Sequence, residues 1–140
     1  MKTLLYLVIT GFAILACTKD SLDAGSPESE LGFSVAEASS MASQACGKTP
    51  IIWLEDILEK AEDDKASMKH LGNYIGWISL TTFKGKPHFV VNMGMGSGGL
   101  AFRLFDCGGN WILPQKDETF PNFVSDPKAR GKVIYSSLRK

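Results

Sequence analysis

The sequence contains two histidines and three cysteines in 140 residues. His70 and His88 have no Cys or carboxylate at the spacing of a zinc site, and each reads as a surface or hairpin side chain. Basic and acidic side chains balance at 15 each, so the charge excess of a nucleic-acid binder is lacking. No apolar run reaches the roughly twenty residues that a membrane-spanning helix requires. The most apolar stretch, Leu4 to Leu15, holds twelve residues. No serine stands in a G-x-S-x-G elbow, and Asp63-Asp64 is a solvated helix end, since adjacent helical residues do not share a face. These absences leave little room for an enzyme, and neither a metal nor a cofactor is expected.

What is present begins with Lys2 followed by the apolar run and then Ala16-Cys17, the order of an export signal. The segment Ile14-Leu15-Ala16-Cys17 resembles the lipobox of bacterial lipoproteins. That resemblance implies removal of residues 1–16, a diacylglycerol on the sulfur of Cys17 and acylation of its new amine. Two or three chains would hold the protein stably at a membrane where one would not. The residue after the cysteine is Thr18 rather than Asp, which in the Gram-negative sorting rule implies the outer membrane. Lys19-Asp20 also resembles the short charged signal that sends some lipoproteins to the outer surface.

Residues 17–45 read as the lipidated cysteine and a flexible acidic tether, rich in Ser, Ala, Gly, Asp and Glu with little to bury. Residues 46–140 hold 13 basic and 10 acidic side chains and suffice for one modest core. The cluster Lys128, Arg130, Lys132, Arg139 and Lys140 lacks interleaved aromatics and reads as a solvated edge. With Cys17 lipidated, Cys46 and Cys107 remain as an even pair in an oxidising compartment, and a disulfide between them is expected. It closes a loop of about sixty residues, worth roughly 3 to 4 kcal/mol. The alternative is a reactive Cys107 thiol with His88 as its base.

Within the domain, Thr49 is a good N-cap and Pro50 suits a first helical turn. Leu54, Ile57, Leu58 and Ala61 recur at helical spacing, which predicts an amphipathic helix over about 50–63, closed by Glu62-Asp63-Asp64-Lys65. Tyr74 to Phe83 and Lys86 to Met93 are strand-like runs around Lys84-Gly85, a β-hairpin signature. Leu100 to Asp106 alternates, Cys107 to Asn110 is a turn, and Trp111-Ile112-Leu113 begins a return strand. The segment to Asp126-Pro127 reads as loop and Lys132 to Leu138 as a last strand. The expected fold is α+β, one N-terminal amphipathic helix packed on an antiparallel sheet of four or five strands.

The interval Gly94-Met95-Gly96-Ser97-Gly98-Gly99 matches G-x-G-x-x-G, but strand-like alternation follows where a dinucleotide site needs a helix. No Lys-Ser or Lys-Thr follows either, so a P-loop fails. With Met93 and Met95 exposed beside it, residues Met93 to Gly99 form the candidate binding loop, because methionines make adaptable contacts. Two resemblances bear on it. The Trp53 helix, Phe83-Lys84-Gly85-Lys86, and Phe105-Asp106 leading through Gly109-Asn110 to Ile112 resemble a family of small lipoproteins of Gram-negative bacteria, which implies the fold and no activity. Gly96-Ser97-Gly98-Gly99 followed by Phe102 resembles one of the three inhibitory loops of chagasin-type inhibitors of papain-like proteases. The resulting expectation is a lipid-anchored, non-catalytic domain that recognises a protein or envelope component. The alternative is an inhibitor or immunity protein against a hydrolase.

Overall fold

The computed structural model describes residues 33–94, 102–113 and 119–138. Three helices, α1 (Val35–Cys46), α2 (Ile52–Ser67) and the short α3 (Pro127–Arg130), accompany five strands. The strands are β1 (Gly76–Phe83), β2 (Lys86–Met93), β3 (Arg103–Asp106), β4 (Trp111–Ile112) and β5 (Lys132–Ser136). They form one sheet in the order β4-β3-β2-β1-β5, with every neighbour antiparallel. The α+β expectation is met.

The β1–β2 hairpin is fixed by its turn. Phe83 pairs with Lys86, leaving Lys84 and Gly85 as a two-residue loop with φ of 50° and 73°. Left-handed backbone at both positions is the type I′ geometry whose twist matches that of the flanking strands. Because strand side chains alternate, the register then decides which residues meet the helices. Ile78, Phe89, Val91 and Met93 join Ile134 and Tyr135 beneath α1 and α2, where Leu54, Ile57, Leu58 and Ala61 complete the main core.

The other sheet face is covered as well. Phe83, Val90 and Leu104 are buried with Phe123, and Trp77, Phe102, Ile112, Phe120 and Ala129 pack around them. The hydroxyls of Ser79 and Thr81 donate to the carbonyls of Arg130 (2.7 Å) and Ala129 (2.6 Å), so α3 is tied across β1. The stretch read as loop therefore closes a second small core through the aromatic residues Phe120 and Phe123.

Three local expectations are corrected. Residues 35–45, assigned to the tether by composition, form α1 together with Cys46, and the helix opens on a capping box: Ser34 accepts from the Glu37 N–H and the Glu37 carboxylate accepts from the Ser34 N–H. Ala38 and Ala42 are fully buried, because their small side chains let α1 approach α2 and β5 closely. Second, α2 is capped at Ile51, without a side-chain cap bond, and Pro50 follows a cis Thr49–Pro50 peptide before the helix begins. Burial of Ile51 in the core sets that boundary. Third, α2 runs through Asp63-Asp64 to Ser67, and Asp64 is fully buried rather than solvated.

Tyr135 links β5 to α2 by donating its hydroxyl to Glu62 Oε1 at 2.6 Å. Burial first, and then the Glu62 carboxylate, raise this phenol well above the usual 10.0. The folded state thus holds the phenolic proton more tightly than the unfolded chain does. Its contribution is complete below pH 10 and is lost as pH rises beyond it. Tyr135→Phe is expected to be about 2 kcal/mol less stable than wild type at neutral pH. Denaturant titrations at stepped pH should find that gap narrowing above pH 10, and a constant gap would contradict the assignment.

Candidate functional site

The sequence-predicted site residues separate into three places. Cys17 lies outside the described residues, as do Met95, Gly96, Ser97, Gly98 and Gly99 of the glycine interval. Met93, expected to be an exposed contact residue, is 6% exposed and belongs to the main core. The reason is register: Met93 pairs with Gly76 at the end of β2 and points to the helix-covered face with Phe89 and Val91. Gly94 is exposed just beyond it.

Cys46 and Cys107 come together. The last residue of α1 and the first residue after β3 have Cα atoms 5.8 Å apart and are joined by a disulfide. Cys107 is therefore not a free thiol nucleophile. Beside the bridge, the Trp53 ring packs edge-on against Phe89 and tilted against Phe105, and its Nε1–H donates to the Cys107 carbonyl at 3.4 Å. Gly109, at φ 85°, turns directly over that ring, and a Cβ there would stand 2.7 Å from it. A glycine is required on both counts.

The turn after β3 is held by Asp106. Its Oδ1 accepts from the backbone N–H groups of Gly108 (2.7 Å) and Asn110 (2.9 Å), and its Oδ2 accepts from Asn110 Nδ2 (2.8 Å). Partial burial opposes the charged form, but the Asn110 and Gly108 donors, aided by nearby His88, outweigh it and hold the Asp106 carboxyl below its usual range. His88 pairs in register with Asp106, is buried, packs edge-on against Phe83, and donates from Nδ1 to the Lys86 carbonyl at 3.0 Å.

These elements enclose a cleft of about 710 Å³ lined by the disulfide with Phe83, Lys84, Lys86, Pro87, His88, Asp106, Gly108 and Ile112. Its lining is mixed: Phe83, Pro87 and Ile112 supply apolar surface, and Lys84, Lys86, His88 and Asp106 supply polar and charged groups. Such a cleft can receive a small apolar group that carries a polar end. It lies at the opposite end of β2 from Gly94, which follows Met93. Sequence reasoning placed each lining segment in a hairpin or turn, but only the β2–β3 register and the disulfide bring them together. Among the described residues, no group of three or more His, Cys, Asp and Glu converges as a metal site. Comparison with known proteins finds no matching family model, no matching curated protein and no matching solved structure.

Proposed function

We propose that this chain is a lipid-anchored envelope lipoprotein, held by acyl chains on Cys17 at the outer membrane, whose folded domain binds a protein or envelope component without transforming it. The observation that carries this reading is the Cys46–Cys107 disulfide. A bridge of this kind persists in an oxidising compartment, and the first seventeen residues read as the signal that would deliver the chain to one. Among the described residues no helix is long and apolar enough to cross a membrane.

Binding rather than catalysis is supported by the way the polar groups of the cleft are used. Both Asp106 oxygens are occupied by the turn that they hold, and His88 Nδ1 is committed to a backbone carbonyl. A carboxylate engaged by three donors is a weak proton acceptor. The apolar walls of Phe83, Pro87 and Ile112 remain for a ligand.

Intact mass of the membrane-extracted protein, measured before and after reduction, tests the reading. The expected mass is that of residues 17–140 plus acyl chains, rising by two hydrogens on reduction. An unlipidated mass, or no change on reduction, overturns it.

A further inference from the structure

His88 carries a polar atom that the fold does not use. The residue is 6% exposed, and its ring is held from two sides. Phe83 meets it edge-on with the centroids 5.5 Å apart, and Nδ1 lies 3.0 Å from the Lys86 carbonyl. A carbonyl oxygen only accepts, so Nδ1 carries the proton, and in the neutral ring Nε2 is then an acceptor. Nε2 has no hydrogen-bond partner among the described residues. A side-chain nitrogen this far from bulk water is ordinarily paired, because it has given up its hydration and regains it only through a donor.

The strand register decides where that acceptor stands. His88 pairs with Asp106, and strand alternation puts both on the face that carries Val90 and Leu104 rather than on the helix-covered face. There both line the cleft beside the Cys46–Cys107 bridge. Asp106 is already engaged by the N–H groups of its own turn, which makes His88 the acceptor open to a group from outside.

The rest of the lining narrows what that group is. Lys86 opposes a cation and Asp106 opposes an anion, so a neutral group enters at least cost. Phe83, Pro87 and Ile112 call for an apolar body, and a phenyl ring beside two sulfurs favours an aromatic one, through edge-to-face and sulfur–ring contacts. A cleft of about 710 Å³ has room for a one- or two-ring system.

We infer that the cleft binds a neutral aromatic group with a single O–H or N–H donor, a phenol or an indole, and that this donor hydrogen-bonds His88 Nε2. Tyrosine and tryptophan side chains of a partner share that chemistry with free small molecules. The inference rests on the reading of the domain as a binding module.

The test uses the full lipidated chain in lipid nanodiscs, with nitrogen-15 in its histidine rings. The chain has two histidines, so His70, which lies outside the cleft, is the internal control. Phenol is titrated against anisole, the same ring with its O–H capped by a methyl group. The expected result is a saturable shift of the His88 Nε2 resonance with phenol, an unmoved His70, and roughly ten-fold weaker binding of anisole. His88→Phe keeps a ring in place and should lower phenol to the affinity of anisole. The wild-type shift and the phenol-to-anisole ratio are read without any variant, so the test survives if that variant fails to fold. Equal affinities, phenol binding that leaves Nε2 unmoved, or no binding of either probe overturns the inference and leaves the lipid anchor to be judged by intact mass. Phenol recovered chemically altered overturns the non-catalytic reading together with the inference. N-acetyltyrosinamide identifies the source: tighter binding than phenol places the ring on a protein partner, weaker binding on a free small molecule, and either order supports the pairing with Nε2.

Discussion

Replacing Cys46 and Cys107 together by serine lowers the unfolding free energy by about 3 to 4 kcal/mol and the thermal midpoint by roughly 15 °C or more. The bridge closes a sequence separation of 61 residues, which includes α2, β1, β2 and β3. The reduced unfolded chain regains the freedom that this closure removes, so the loss arises chiefly in the unfolded state. Replacing both cysteines keeps a lone thiol from confusing the comparison. Urea titration of the double variant, beside wild type treated with a dithiol reductant, is the measurement. A loss below about 1 kcal/mol would mean that Trp53, packed against Phe89 and Phe105, holds α2 to the β3 turn without the covalent link.

The second large effect is expected at Asp64. Asp64→Ala strips the acceptor from two backbone N–H groups, those of His70 and Tyr74, and leaves them without a partner beneath the turn. Hydrogen bonds to a charged acceptor contribute about 1.5–3 kcal/mol each. Relief from burying the carboxylate offsets part of that, so a loss of about 3 kcal/mol is expected. Asp64→Asn keeps one acceptor oxygen and should recover part of the loss. Amide exchange separates this from general destabilisation: the His70 and Tyr74 amides should exchange faster in the alanine variant by more than the global change allows. Equal acceleration across the sheet would count against Asp64 as a local brace.

The elements legible in the sequence were those whose cause is local. Lys84-Gly85 between two β-rich runs specifies its own hairpin, and Leu54, Ile57, Leu58 and Ala61 carry the helical period whatever surrounds them. The elements that escaped are made by contacts distant in sequence. The stretch from Val35 to Cys46 is rich in Ser and Ala and looks like tether. It becomes a helix because Ala38 and Ala42 fit closely against α2 and β5, and the local clue was Ser34 followed by Glu37, the capping pair. Asp64 reads as a solvated charge until its two N–H donors, six and ten residues further on, fold over it. Phe120 and Phe123 lie in a segment without periodicity, so their role in covering the second sheet face emerged only from the register of Phe83, Val90 and Leu104. The cleft combines both limits. The disulfide partners followed from cysteine arithmetic, whereas the meeting of His88 with Asp106 depends on strand pairing.

The cross-link also determines how the molecule carries tension. A domain tethered at its N-terminal side and gripped elsewhere by a partner is pulled through α1. At Cys46 the pull passes through the sulfur bridge into Cys107 and the β3–β4 turn, bypassing the chain between them. Those sixty or so residues cannot be paid out as slack, which withholds about 200 Å of contour length from extension. Under a pull applied through α1, α2 and the β1–β2 hairpin remain inside the closed loop. The bridge is then a mechanical stop as much as a thermodynamic one.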